Sequence, residues 1–531
     1  MISFDWSKSC VYSLSLPTQT NVLPLPELVA EQDHLTGYIP TVVGPVEFRE
    51  WKKQLERIDG ILGLGEVEEM FQRLSLAQRN EQEREVAEAE KRPFREFSVL
   101  EQASYQRLSS QVLRCNLART LLGESLRDFG CRLAESMLLQ WFCRLDRIDT
   151  VRIPGKSALQ RYSQWLPEAD MRQVIEGLLE AASQGEQGDV QTLELAEGLN
   201  LEAYFLDTTC VKLHIHFPVD WVLLRDAART LMKATMLIRK RGLKVRMEEP
   251  ADFLKQMNRL CMKMTHARRK KDGKRARKAV LREMKKLSKI IAAHANRHRQ
   301  LLEQRWQETD LKPGEAQQII QRIAMVLERL PYAIHQAHER IIGERPLLNE
   351  EKILSLYEGH AAVYVRGKAG AEVEFGSQLL LGESASGVIV DWELVCGNPQ
   401  ADTQMLGRSL ERLQQGVGGR AIRQVAGDRG FDSQPNRDLL ENSRIYNAIC
   451  PKSPRELKKK MEEGEFVELQ QRRSQTEARI AIFKNGFLGS PLMSQGHGNQ
   501  SREVAWSVLA HNLWVIARLP QGEARALADA S

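Results

Sequence analysis

From Phe97 to Ala182 the apolar residues recur every three or four positions: Leu113, Leu117, Leu121 and Leu122, then Leu133, Met137, Leu138, Trp141 and Phe142. That interval lays an apolar stripe along one side of a helix, so the segment predicts a compact helical bundle. A further helix is expected over Ser157 to Trp165, after the break at Pro154-Gly155. Upstream, prolines at 17, 24, 26, 40 and 45 predict an arm with little regular structure as far as Leu74, apart from a helix near Glu50 to Leu62. Asn80 to Arg92 is rich in Glu and reads as a solvated helical connector.

Beyond this bundle the pattern alternates. Ala203 to Leu206 is an apolar run ending in Asp207, as expected of a buried strand. Asp220 to Arg340 has few glycines and predicts helix almost throughout. It separates the first strand from runs at Ala361 to Val365, Gln378 to Gly382 and Gly387 to Val395. A helix (Asp402 to Gln415), a strand ending at Asp428, a helix (Pro435 to Asn442), a short strand (Ala448 to Pro451) and a helix around Glu477 follow. The class is therefore α/β, a mixed sheet with helices on both faces and an all-α domain before it. The divisions expected are an arm and connector at 1–95, a helical domain at 96–195, an α/β domain at 196–518 with a helical insertion at 221–345, and a frayed tail at 519–531.

Length and composition narrow the class. At 531 residues and 60.6 kDa the chain is too long for one core. No run of about 18 apolar residues predicts a membrane span, and the first residues lack the order of a secretory signal. Eight scattered cysteines without CxxC pairs argue for reduced thiols in a cytoplasmic protein. The net charge is only +6, but Ile238 to Arg299 hold about 22 Lys and Arg against 5 Asp and Glu. Arg268, Arg269, Lys270 and Lys271 lie in the densest run, and such asymmetry is the footprint of a phosphate-backbone binder. A solubilising helical face is the competing explanation of that charge. Gly155-Lys156-Ser157 is no phosphate loop, because Thr150 stands where the motif needs its first glycine.

Three acids stand in suggestive settings. Asp207 and Asp428 each close a strand-like run, and Gly427 and Gly430 flank the second so that backbone or ligand can come close. Glu477 lies between Arg473 and Lys484. On a regular helix the three fall within roughly 40° of one another. Two strand-end Asp residues and a helix Glu make the oxygen-rich set that holds a pair of divalent ions, with Arg473 and Lys484 placed to hold phosphate. Taken singly, each acid could equally cap a turn or sit on a solvated face. His214 and His216 share a strand face and could ligate a metal, or His216 could simply pack.

In order and spacing these segments resemble the DDE transposases of bacterial insertion sequences, over most of the chain. The family's last acid sits in the pattern Tyr, two residues, Arg, three residues, Glu, six residues, Lys. Arg473, Glu477 and Lys484 fit it, with Gln470 in the tyrosine place. The segments around Asp207-Thr208-Thr209 and Gly427-Asp428-Arg429-Gly430-Phe431-Asp432 resemble its two Asp motifs. Phe375 to Glu383, Gly397-Asn398-Pro399 and Val508 to Trp514 extend the match.

The resemblance implies an RNase H-like catalytic domain, which the order of elements also suits, and an N-terminal helical domain that binds the element's ends. It implies Asp207, Asp428 and Glu477 as catalytic ligands of two Mg2+ or Mn2+ ions, and Arg473, Lys484, Arg268, Arg269, Lys270 and Lys271 as DNA contacts. Expected partners are terminal inverted repeats and target DNA, met by a homodimer or higher oligomer. Two other readings stand beside it: a catalytically inactive or domesticated DNA-binding protein of the same fold, and a stand-alone RNase H-like nuclease.

Overall fold

The computed structural model describes residues 45–147, 150–184, 193–267, 272–368, 371–416 and 421–522. The proline-rich arm before 45, the tail from 523 and the basic quartet Arg268, Arg269, Lys270 and Lys271 lie outside the described residues.

Among the described residues seven helices precede the sheet: α1 (Val46–Leu64), α2 (Val67–Ala89), α3 (Val99–Leu122), α4 (Leu126–Glu135), α5 (Met137–Phe142), α6 (Lys156–Tyr162) and α7 (Glu168–Ser183). The central one, α3, starts at a capping box formed by Ser98 and Glu101 and stops at Gly123, whose φ of 64° suits glycine. The stretch expected to be a solvated helical connector is the second half of α2 and the turn after it: most of its residues are exposed, while Glu83 and Ala87, with Arg79 just before them, are buried. Its charges are matched by neighbours the composition does not reveal. The Arg79 guanidinium lies 3.5 Å from the centre of the Phe97 ring, and Glu83 pairs with Arg92 at 2.5 Å. Buried Arg114 on α3 reaches Asp59 on α1 at 2.5 Å and Glu68 on α2 at 2.6 Å, pinning three helices together.

The sheet has six strands: β1 (Ala203–Lys212), β2 (Ala362–Lys368), β3 (Ala371–Ser384), β4 (Ile389–Leu394), β5 (Gln424–Gly427) and β6 (Tyr446–Ile449). The order is β2-β3-β1-β5-β6, with β4 following β2 along the same edge of β3. Strands β1 to β4 pair antiparallel, whereas β1, β5 and β6 are parallel. At 14 residues β3 is much longer than the run at Gln378 to Gly382 suggests, because its ends carry Glu, Gly and Ser among the apolar residues. Around it pack α12 (Met405–Gln415), α13 (Gln434–Asn442), α14 (Pro454–Lys460), α15 (Gly464–Ser474), α16 (Thr476–Ile482) and α17 (His497–Ile516). No described helix is long and apolar enough to cross a membrane.

One hydrophobic core joins the N-terminal helices to the sheet, running from Leu55 and Phe71 through Leu206 and Trp392 to Trp506. A second core, with Leu224, Leu231, Met284, Ile291 and Ile323, belongs to the segment between β1 and β2. The described residues of that segment include the α-helices α8 (Asp220–Lys240), α9 (Pro250–Ala267), α10 (Gly273–Arg305) and α11 (Pro313–Ala337).

Candidate active site

Strand β1 pairs with β5 from Ala203 opposite Gln424 to Phe205 opposite Ala426. Continuing this register two steps sets Asp207 alongside Asp428, about 5 Å being the usual separation of neighbouring strands. Asp207 is therefore not at the end of its own strand, as its sequence context implied. It sits mid-strand, opposite Leu381 of β3, and just past the point where β5 stops. The Thr208 N–H donates to its Oδ1 at 2.7 Å. Asp428 caps a single 3₁₀ turn, Arg429–Phe431, by accepting from the Gly430 N–H at 2.8 Å.

The glycine beside it is required by crowding. A Cβ on Gly430 would lie 2.5 Å from Asp402 Oδ2 and 2.9 Å from Asp428 Oδ1. That contact also reveals a fourth acid. Asp402 Oδ1 accepts from Thr208 Oγ1 at 2.9 Å and from Gln378 Nε2 at 3.3 Å, so it bridges the neighbour of Asp207 to the Asp428 loop. Sequence reasoning took Asp402 for the first residue of a helix. The signal that could have singled it out was its place three residues after Gly397-Asn398-Pro399.

Burial lifts the Asp207 carboxyl to about 6, and the negative charges of Asp428 and Glu477 push the same way, offset in part by Arg473. Burial likewise raises Asp402, aided by Asp428. The three acids expected to act together are thus near enough to repel.

The segment carrying Glu477 is not one regular helix. α15 ends at Ser474, α16 starts at Thr476, and a π-helical stretch, Phe483–Leu488, follows. The break is anchored from outside. Arg472 donates to Glu383 at 3.0 Å and to the Ala385 and Ser384 carbonyls, while Thr476 Oγ1 donates to Glu383 at 2.8 Å. Glu477 is left exposed in the first turn of α16, and Arg473 is half-buried.

Lys484 falls inside the π stretch, which changes its phase. Its Nζ donates to the Cys210 carbonyl at 2.5 Å and to Thr209 Oγ1 at 3.2 Å, so it fastens this segment to β1. Sequence spacing assigned it to DNA; the structure engages it with the protein. Lys484→Met is accordingly expected to lower stability by about 1–2 kcal/mol, seen as a shift of the urea midpoint. An unchanged midpoint with weakened DNA binding would return Lys484 to the phosphate role. Gln470, in the tyrosine place, donates to the Gly427 carbonyl at 3.2 Å and the Ala448 carbonyl at 2.5 Å, and accepts from Arg473 Nε. It thus ties α15 to the strand end that bears Asp428.

Other sequence candidates are structural. His216 Nε2 lies 2.6 Å from Asp226 Oδ2 and joins the exit of β1 to α8. Asp432 binds Arg437 and the backbone N–H of Lys452. His511 is buried against Phe483, Phe487 and Trp514, and burial pushes it down to about 4, so it is neutral near pH 7.

The chemistry of the donor set suits a hard divalent cation: carboxylate oxygens only, with like charges crowding a half-buried Asp207. Geometry goes less far. Among the described residues no three His, Cys, Asp or Glu side chains come together closely enough to hold one metal ion. No family model, characterised protein or solved structure matches the chain.

Proposed function

We propose that this chain is a DDE transposase that binds the ends of an insertion sequence and cuts and joins DNA strands with Asp207, Asp428 and Glu477. The observation that carries the reading is the register of β1 against β5, which makes Asp207 and Asp428 neighbours at the open end of the parallel strands, where α/β sheets place ligands. Glu477 adds its charge to the same carboxyl. The strand order supports an RNase H-like catalytic domain: an antiparallel group of β1, β3 and β4 continued by parallel β5 and β6, with the basic helical insertion after the first strand.

In this reading Asp207, Asp428 and Glu477 hold the metal ions, Asp402 orients Thr208 beside them, and Arg473 offsets negative charge next to Asp207. Magnesium or manganese supplies activation of a water or a DNA 3′-hydroxyl and neutralisation of charge at the phosphate. The protein's share is positioning, which phosphoryl transfer chiefly needs. A second reading, a DNA-binding protein of this fold without activity, is favoured by the exposure of Glu477 and the absence of three-acid convergence among the described residues.

Cleavage of a duplex carrying the inverted repeats that flank the coding region decides between them. The expected result is strand cleavage with Mg2+ or Mn2+, none in EDTA, and a loss of about 10³-fold or more in Glu477→Gln with DNA binding unchanged. Tight binding to the repeats without cleavage would support the inert protein. Cutting indifferent to the repeats would support a nuclease.

A further inference from the structure

α10 carries eleven Lys and Arg against two Glu, but these cations form two sets. Lys274 and Lys278 pair with Glu344, Arg299 with Glu303, and Arg305 with Glu308. Arg275, Arg282, Lys286, Lys289 and Arg297 are all exposed, and among the described residues none of them has an ion-pair partner. At 100° per residue these five fall within an arc of about 80° and extend along about 33 Å of helix. Ala279 and Ala293 are the exposed small residues on the same line, and Glu283 and Glu303 lie off it.

Solubility does not require this arrangement, since a mixture of both signs serves it better. Arg282 and Lys286 are four residues apart, and Lys286 and Lys289 three, spacings at which like charges weaken a helix. An acid-free stripe with repulsion built into it is matched to a polyanion. Its length is close to one turn of B-form DNA, about 34 Å. Within the arc it offers no aromatic or large aliphatic anchor of the sort that dominates protein interfaces, the exposed Ile290 lying just beside it, and its alanines let the helix approach a backbone. The separate core of the insertion holds the stripe in place.

We propose that this stripe of α10 is a sequence-independent track for the phosphates of duplex DNA. The proposal rests on the reading of the chain as a DNA-cutting transposase, and it singles out five residues apart from the quartet Arg268, Arg269, Lys270 and Lys271. The test is a full-length variant with all five changed to Gln, the quartet left intact, titrated against a 25-bp duplex of arbitrary sequence over a range of salt. Each lost phosphate contact lowers the slope of log affinity against log salt by about 0.9, so a fall of about 4.5 units is expected if all five contact phosphates. Lys274→Gln with Lys278→Gln, which removes cations already paired to Glu344, should change the slope by less than about one unit.

A thermal melt like that of the wild type establishes that the five-fold variant is folded, as substitutions at exposed sites allow. Retained binding with a slope within one unit of wild type would overturn the track while leaving the transposase reading standing. An equal effect of the Lys274 and Lys278 pair would overturn the choice of residues, and an equal loss on a single strand of the same length would overturn the duplex assignment. A wild-type protein that neither binds nor cuts any DNA would remove the transposase reading itself.

Discussion

Asp207→Asn is expected to abolish strand cleavage and to leave a protein that is more stable, not less. The carboxylate is half-buried on β1, and both Asp428 and Glu477 bear on it with like charge, which is why its carboxyl is raised to about 6. Without a bound cation, a group raised above its ordinary value near 3.9 costs the folded state free energy at neutral pH. Allowing for solvent around a group that is not fully enclosed, the cost is about 1–2 kcal/mol. Asparagine removes the charge and keeps an oxygen for the Thr208 N–H, so the variant should unfold at higher urea than wild type in metal-free buffer. Cleavage should fall by about three orders of magnitude or more, since the residue would no longer help hold the ions. Opposite signs for stability and activity mark a functional carboxylate. A variant that is both inactive and less stable would make Asp207 a structural residue and sink the assignment.

Much of the arrangement around this acid can be read from the chain, and the rest has identifiable reasons for being hidden. The short runs before Asp207 and Asp428 announce buried strands, and the glycines about Asp428 announce close approach. Both hold in the structure. What a single chain does not reveal is register between distant strands. That β1 and β5 align so that the two acids become neighbours depends on pairing across more than two hundred residues. Asp402 was missed for the same reason, because its significance comes from Thr208, Gln378 and Gly430, none of them near it in sequence.

Two local features are not legible in the sequence. The helical segment through Arg473, Glu477 and Lys484 breaks at Gln475 and turns to a π stretch from Phe483, although Arg473 and Glu477 both bear on Asp207. The second half of α2 is largely exposed, as its Glu content suggests, yet Glu83 and Arg79 are buried by partners that lie beyond the turn. Gln470 likewise bonds the ends of β5 and β6 through its amide, a tie between distant segments that its sequence context does not announce.

The largest expected loss of stability lies away from the acids, at Asn512 on α17. Its side chain is fully buried, and its amide copies a neighbouring strand: Nδ2 donates to the Ile389 carbonyl and Oδ1 accepts from the Ile389 N–H, each at 2.8 Å. Strand β4 is thereby fastened to the helix that packs behind it, which is a structural task for the segment Val508 to Trp514. Asn512→Leu preserves volume and removes both bonds. Two backbone groups of Ile389 are then left buried without partners, at about 1–3 kcal/mol each, so a total of about 3–4 kcal/mol is expected. The change should appear as a lower urea midpoint with an unaltered slope of the unfolding transition, since the surface exposed on unfolding is the same. Cleavage per folded molecule, measured well below the new midpoint, should stay within a few-fold of wild type, because the amide of Asn512 meets Ile389 and its neighbour His511, and the strands that carry the acids are held by their own ladder. A midpoint shift equivalent to less than about 0.5 kcal/mol would mean that water or a rearranged β4 satisfies Ile389, and that the clamp does not hold the strand.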